Sequence, residues 1–181
     1  MNVRRVGVFK RLLRRLRRNE RAAIVVEFAL VLPVLIMIFV GMAEFTEAFT
    51  VMRKLAQSAG TVSDLVAQET TVTSSTLANI RLIAEEIMKP YSPPNSLVIV
   101  SVVSDSANAV RVEWSDPPIY AKDQTYSLPN DKLTEPNSGL IVTEATYNFT
   151  PTLSYFLLGN FTLQERAYFR PRSGKTIAKA N

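Results

Sequence analysis

The 181-residue chain contains no cysteine and no histidine. Disulfides, thiolate nucleophiles, cysteine or histidine metal sites and imidazole general bases are therefore excluded, and most enzyme chemistries recede with them. A cysteine-free domain must be held by its own core or by neighbours in an assembly. Glycine is scarce, at six residues, and none falls in a phosphate-cradling loop. A net positive balance is confined to one place. Residues 1–22 carry nine Lys or Arg against Glu20, whereas the remainder carries twelve basic and fifteen acidic side chains. A uniformly basic domain would suggest nucleic acid; a basic leader beside a hydrophobic run suggests the anionic face of a membrane. The leader also lacks the interleaved aromatics of single-strand binders, so no nucleic-acid partner is expected.

What the chain does have is the run ERAAIVVEFALVLPVLIMIFVGMAEF at residues 20–45. From Ala22 to Ala43 its single charge is Glu27. At about 1.5 Å per residue the run reaches roughly 33 Å, enough to cross a hydrocarbon core. Lys10, Arg11, Arg14, Arg15, Arg17, Arg18 and Arg21 precede it, against Arg53 and Lys54 after it. The asymmetry predicts a single-pass membrane protein with a cytoplasmic N-terminus. A cleaved secretory signal is the rival, but its apolar region spans about 7–15 residues, and the longer run here favours a signal anchor. Within the leader, Phe9, Leu12, Leu13 and Leu16 would stripe a helix lying on lipid; a disordered basic tail accounts for them equally. Pro33 removes an internal hydrogen bond and is expected to bend the membrane helix. A carboxylate in such a helix costs on the order of 2.5–3.5 kcal/mol, so Glu27 either snorkels at the interface or has a partner.

Beyond the span, Phe45, Ala48, Met52, Leu55, Ala59, Val62 and Val66 recur at three- and four-residue steps, predicting one continuous helix that ends near Gln68. That stripe serves either a partner helix or the protein's own sheet. A second helix follows the polar break at 69–76, with Ser74 or Ser75 as N-cap and Leu77, Ile80, Ile83, Ala84 and Ile87 on one face. Strands are expected at LVIVSVV (97–103), AVRVEW (109–114), LIVTEATYNF (140–149) and FTLQERAYF (161–169), the first two forming a hairpin. The proline-containing stretch 115–139 reads as a long surface loop. The fold class is α+β: a long N-terminal helix, a second helix, then an antiparallel sheet.

The segment AAIVVEFALVLP, preceded by the basic leader, resembles the class III signal of type IV pilin-like proteins, and its VEFALVLP wording is similar to TadE-like pseudopilins of tight-adherence (Flp) pilus systems. TYNFTP at 146–151 and FTLQERAYFRPR at 161–172 look like that family's C-terminal strands. The resemblance implies cleavage by a prepilin peptidase between Ala22 and Ala23, which makes Glu27 the fifth mature residue and Phe28 the sixth. Ala22 stands where the family usually has glycine. It further implies recognition and assembly through Glu27 and Phe28, and a role as a minor pilin that catalyses nothing. Its partners would be other pilins, the assembly platform and the inner membrane. The implied organisation is a leader at 1–22, a transmembrane helix at 23–45, an exported domain at 46–172 and a tail at 173–181. A signal-anchored exported enzyme or ligand-binding domain using the long loop is the alternative.

Other motifs carry less. Asn148-Phe-Thr150 and Asn160-Phe-Thr162 match the glycosylation triplet, which arises readily by chance. Glu85 and Glu86 point about 100° apart on a helix and cannot act as a facing acid/base pair. Asp116, Asp123 and Asp131 lack the spacing of a calcium loop. No metal and no cofactor are expected.

Overall fold

A computed structural model describes residues 20–105, 109–129, 134–151, 159–173 and 176–180. The expected leader stripe at Phe9–Leu16 lies outside them. Helix α1 runs Glu20–Gln68 with Pro33 inside it. Then come strand β1 (Thr71–Val72), helix α2 (Ser74–Met88) and strands β2 (Ser96–Ser104), β3 (Val110–Asp116), β4 (Gly139–Phe149), β5 (Phe161–Phe169) and β6 (Ala178–Lys179). The four long strands form an antiparallel sheet in the order β3-β2-β4-β5, and β1 pairs with β6 in parallel. The α+β class and the helix-then-sheet order expected from sequence are both present. The chain divides into two compact units, Met1–Phe45 and Thr46–Asn181.

In the second unit, α1 buries Ala48, Val51, Leu55, Ala59, Val62 and Val66 in a core shared with Leu77, Ile80, Ala84 and Met88 of α2 and with Ile99 and Ile141 of the sheet. The spacing is that of one helical face. Leu55, Ala59, Val62 and Val66 are thus spent on the protein's own sheet, whereas Met52 is 42% exposed and lies off that face. Ser63, also fully buried, donates to Thr143 Oγ1 at 2.7 Å, so the one hydroxyl pair at this contact is satisfied.

Helix α2 is capped one residue earlier than the sequence suggested. Thr73 has extended backbone angles and its Oγ1 accepts from the Thr76 amide at 3.1 Å, leaving Ser74 and Ser75 in the first turn. A β-branched cap suits this extended entry as well as serine does.

Both faces of the sheet are covered, which explains why LVIVSVV is a continuous apolar run and not an alternating one. Ile99 and Ile141 face the helices, while Val98, Val100, Val102, Leu140 and Val142 form a second core with Val112 and Tyr126. Tyr126 belongs to the stretch 115–139, so this stretch is more than a surface loop: part of it closes the outer face. The β3 register shifts between Ser101 and Val102 of β2, which pair with Trp114 and Val112. Glu113 is therefore an extra residue that turns Trp114 to the helix side and leaves Val112 on the outer side. The C-terminal residues are equally tied down. Ile177 is fully buried, its carbonyl accepts from Trp114 Nε1 at 2.6 Å, and Lys179 meets Asp116 Oδ1 at 3.0 Å.

Candidate functional site

From Ile24 to Phe39 the side chains of α1 are exposed all round and, apart from Glu27, apolar: Phe28 is 58% exposed and Leu30 73%. A helix with no polar face and no cover of its own belongs in lipid or in a bundle. Residues Ile24–Gln68 are long and apolar enough to cross a membrane. Glu27 is exposed on this surface, one helical turn from Ile24, Leu30 and Val31, and among the described residues it has no ion-pair partner. Ala22 and Ala23 lie within the first turn of α1, and Phe28 follows Glu27 around the helix. Pro33 sits inside the helix one and a half turns beyond Glu27.

Residues 22–62 match the family model of TadE-like proteins. The match begins at the proposed processing residue and ends inside the helix that packs on the sheet, so the resemblance carried by AAIVVEFALVLP holds across the TadE-like segment. No curated protein and no solved structure matches the chain.

A second carboxylate lies within the TadE-like segment. Glu44 is 2% exposed and, among the described residues, neither of its oxygens meets a hydrogen-bond partner. Such a group costs at least about 1–3 kcal/mol. Glu44→Met is accordingly expected to raise stability by roughly that amount, read as a Tm increase of several degrees. An unchanged or lowered Tm would show that Glu44 is stabilised in a way this geometry does not contain.

On the outer face of the sheet lies a cluster that sequence reasoning missed. Glu144 of β4 sits directly across from Arg166 of β5 and accepts from its guanidinium at 3.1 Å. Its Oε1 also accepts from Tyr126 Oη at 2.6 Å, and its Oε2 from Tyr120 Oη at 2.8 Å. The two tyrosine rings stand edge to face with centroids 5.5 Å apart. One carboxylate thus staples two points of the 117–129 loop to the sheet. The available signal was Glu144 itself: an acid amid the apolar LIVTEAT run needs partners. Burial raises the pKa of both phenols, and donating to the Glu144 carboxylate raises it further. The sign follows: each neutral phenol contributes stability that is complete below its unfolded value of 10.0 and is lost only as pH rises through the higher folded value. An absorbance titration of the folded chain should therefore leave two of its six tyrosines un-ionised above pH 10, and Glu144→Leu should release them.

The weaker motifs resolve into structure. Asp116 is held by Arg81 and Lys179, and Asp131 lies outside the described residues. Among the described residues no three acidic side chains gather as a metal site. Glu86 pairs with Lys89 at 2.7 Å and Glu85 stands apart from it. The two Asn-Phe-Thr triplets face one another across β4 and β5: Thr162 Oγ1 donates to Asn148 Oδ1 at 3.0 Å and the rings of Phe149 and Phe161 are 5.2 Å apart. Their repetition is explained by this cross-strand pairing.

Proposed function

We propose that the chain is a minor pilin of the TadE-like kind, taking part in assembly of a Flp-type type IV pilus for surface adhesion. The observation that carries this reading is the coincidence of the TadE-like match at 22–62 with an exposed apolar helix bearing one carboxylate. In this reading residues 1–22 are a cytoplasmic leader, 23–45 cross the inner membrane and 46–172 form the exported domain. The chain works by assembly and not by catalysis, with other pilins and the assembly platform as partners.

A prepilin peptidase cutting between Ala22 and Ala23 creates an α-amino group four residues before Glu27. A neighbouring subunit in register can offer its Glu27 to that amine. The pair is strong only where water is excluded, and either charge alone is penalised there. Assembly then relieves a cost that the isolated subunit bears. Pro33 bends the rod and sets the angle at which subunits meet.

N-terminal sequencing of the membrane-extracted protein tests processing. A mature chain beginning at Ala23 only when a prepilin peptidase is present supports the reading. An intact leader, together with failure to co-purify with any pilus component, would favour a signal-anchored domain of other function.

A further inference from the structure

Beside the Glu144 cluster is an open cleft of about 290 Å³. Its lining includes Tyr120, Tyr126, Glu144 and Arg166, with Ser127, Leu128 and Pro129 from the loop that crosses the sheet. We propose that this cleft binds a neutral saccharide ring, such as the terminal sugar of a glycan.

The charge balance selects the ligand class. Glu144 and Arg166 neutralise each other at 3.1 Å, and both carboxylate oxygens already accept from Tyr126 and Tyr120. Among the described residues that line the cleft no unpaired charge remains to draw an ion, so a cation or a simple anion gains little over water there. The hydrogen-bonding capacity that remains is mixed. Each phenol donates its O–H to Glu144 and presents oxygen lone pairs, Arg166 keeps further N–H donors on a side chain that is 51% exposed, and Ser127 adds a hydroxyl that both donates and accepts. A sugar ring offers the complement, with hydroxyls that donate and accept and a C–H face. Leu128 and Pro129 supply an apolar wall for that face. The phenols are held in place before any ligand arrives, which lowers the ordering cost of binding.

Size sets the limit. The volume lies just below the range of about 300–1,000 Å³ usual for small-molecule clefts, which suits one ring. For a ligand of about a dozen heavy atoms, affinity should be on the order of millimolar. The site lies wholly within the exported unit and does not depend on the pilus reading.

The test uses the full chain in lipid nanodiscs, which avoids detergents with sugar headgroups. Saturation-transfer NMR is recorded with glucose, galactose, mannose, fucose, N-acetylglucosamine and N-acetylgalactosamine, and with N-acetylneuraminic acid and acetate as charged probes. At least one neutral sugar should bind saturably, and the charged probes should bind at least about tenfold more weakly. Ser127→Trp, an exposed position in the cleft wall, should abolish the signal with Tm unchanged. Should that variant misfold, Thr125→Lys, also exposed on the lining, introduces an uncompensated charge and should weaken the neutral sugar about tenfold. Absence of binding by every neutral sugar overturns the proposal, as does binding that survives substitution at both positions, or preferential binding of N-acetylneuraminic acid or acetate.

Discussion

Glu27→Gln is expected to leave membrane insertion intact, or to ease it by part of the roughly 2.5–3.5 kcal/mol that a mid-helix carboxylate costs, while co-assembly with pilus components falls at least about tenfold. The two readouts separate because the two roles of the carboxylate have opposite signs. For insertion Glu27 is a burden; for the proposed docking it is the acidic group, among the described residues of the exposed helix surface from Ile24 to Phe39, that can attract a cation. Glutamine keeps the shape and a hydrogen-bonding oxygen but removes the attraction between opposite charges, which in a water-poor contact is the larger part. Glu27→Lys should do worse still, because it faces an amine with a like charge. Crosslinking and co-purification from membranes measure assembly, and carbonate extraction measures insertion. Wild-type co-assembly of an inserted Glu27→Gln chain would sink the docking role and leave Glu27 as an interfacial anchor.

Ile177→Ala is expected to cost about 2–5 kcal/mol, and deletion of residues 176–181 more, because several contacts are lost together. Ile177 is fully buried, Trp114 Nε1 would lose its carbonyl acceptor, and Asp116 would lose Lys179. The parallel β1–β6 pairing would go as well. Trp114 is the single tryptophan, so its fluorescence during denaturant unfolding reports the loss directly. A deletion variant with an unchanged midpoint would refute it. The same anchor has a pH signature. Burial alone would raise the Asp116 pKa, but hydrogen bonds and charge from Lys179 and Arg81 outweigh it and hold the carboxyl below its ordinary value of 3.8. Its contribution is therefore complete above that value and is lost as pH falls through the lower folded one. The Trp114 signal should stay native through mildly acid pH and loosen only below it.

The N-terminal half was the legible half. A long apolar run with one carboxylate and a basic leader needs no tertiary context to be recognised, since lipid itself is the partner and length and charge are sufficient criteria. The extent of α1, the second helix and the four long strands were also readable, because periodicity survives whatever packs against it. Less readable was the use of each apolar position. The α1 stripe was open to a partner or to the sheet, and its sequence is the same in both cases. Only packing shows that Leu55, Ala59, Val62 and Val66 are consumed within the domain while Phe49 and Met52 stay exposed.

By itself, the sequence determined that this chain carries a membrane-length helix with an acid near its N-terminal end, that cysteine and histidine chemistry are closed to it, and that an α+β domain follows. Tertiary structure alone decided the rest. It placed Trp114 and Val112 on opposite faces through the extra residue Glu113, drew the C-terminal residues into the core, and closed the outer face with two tyrosines converging on Glu144. The physical reason is one of range. Helix and strand period are written within a few residues, whereas Glu144 meets Tyr120 across 24 positions and Trp114 meets Ile177 across 63. Contacts at such separations leave no local pattern, because they are chosen by which surfaces remain after the nearer ones have packed.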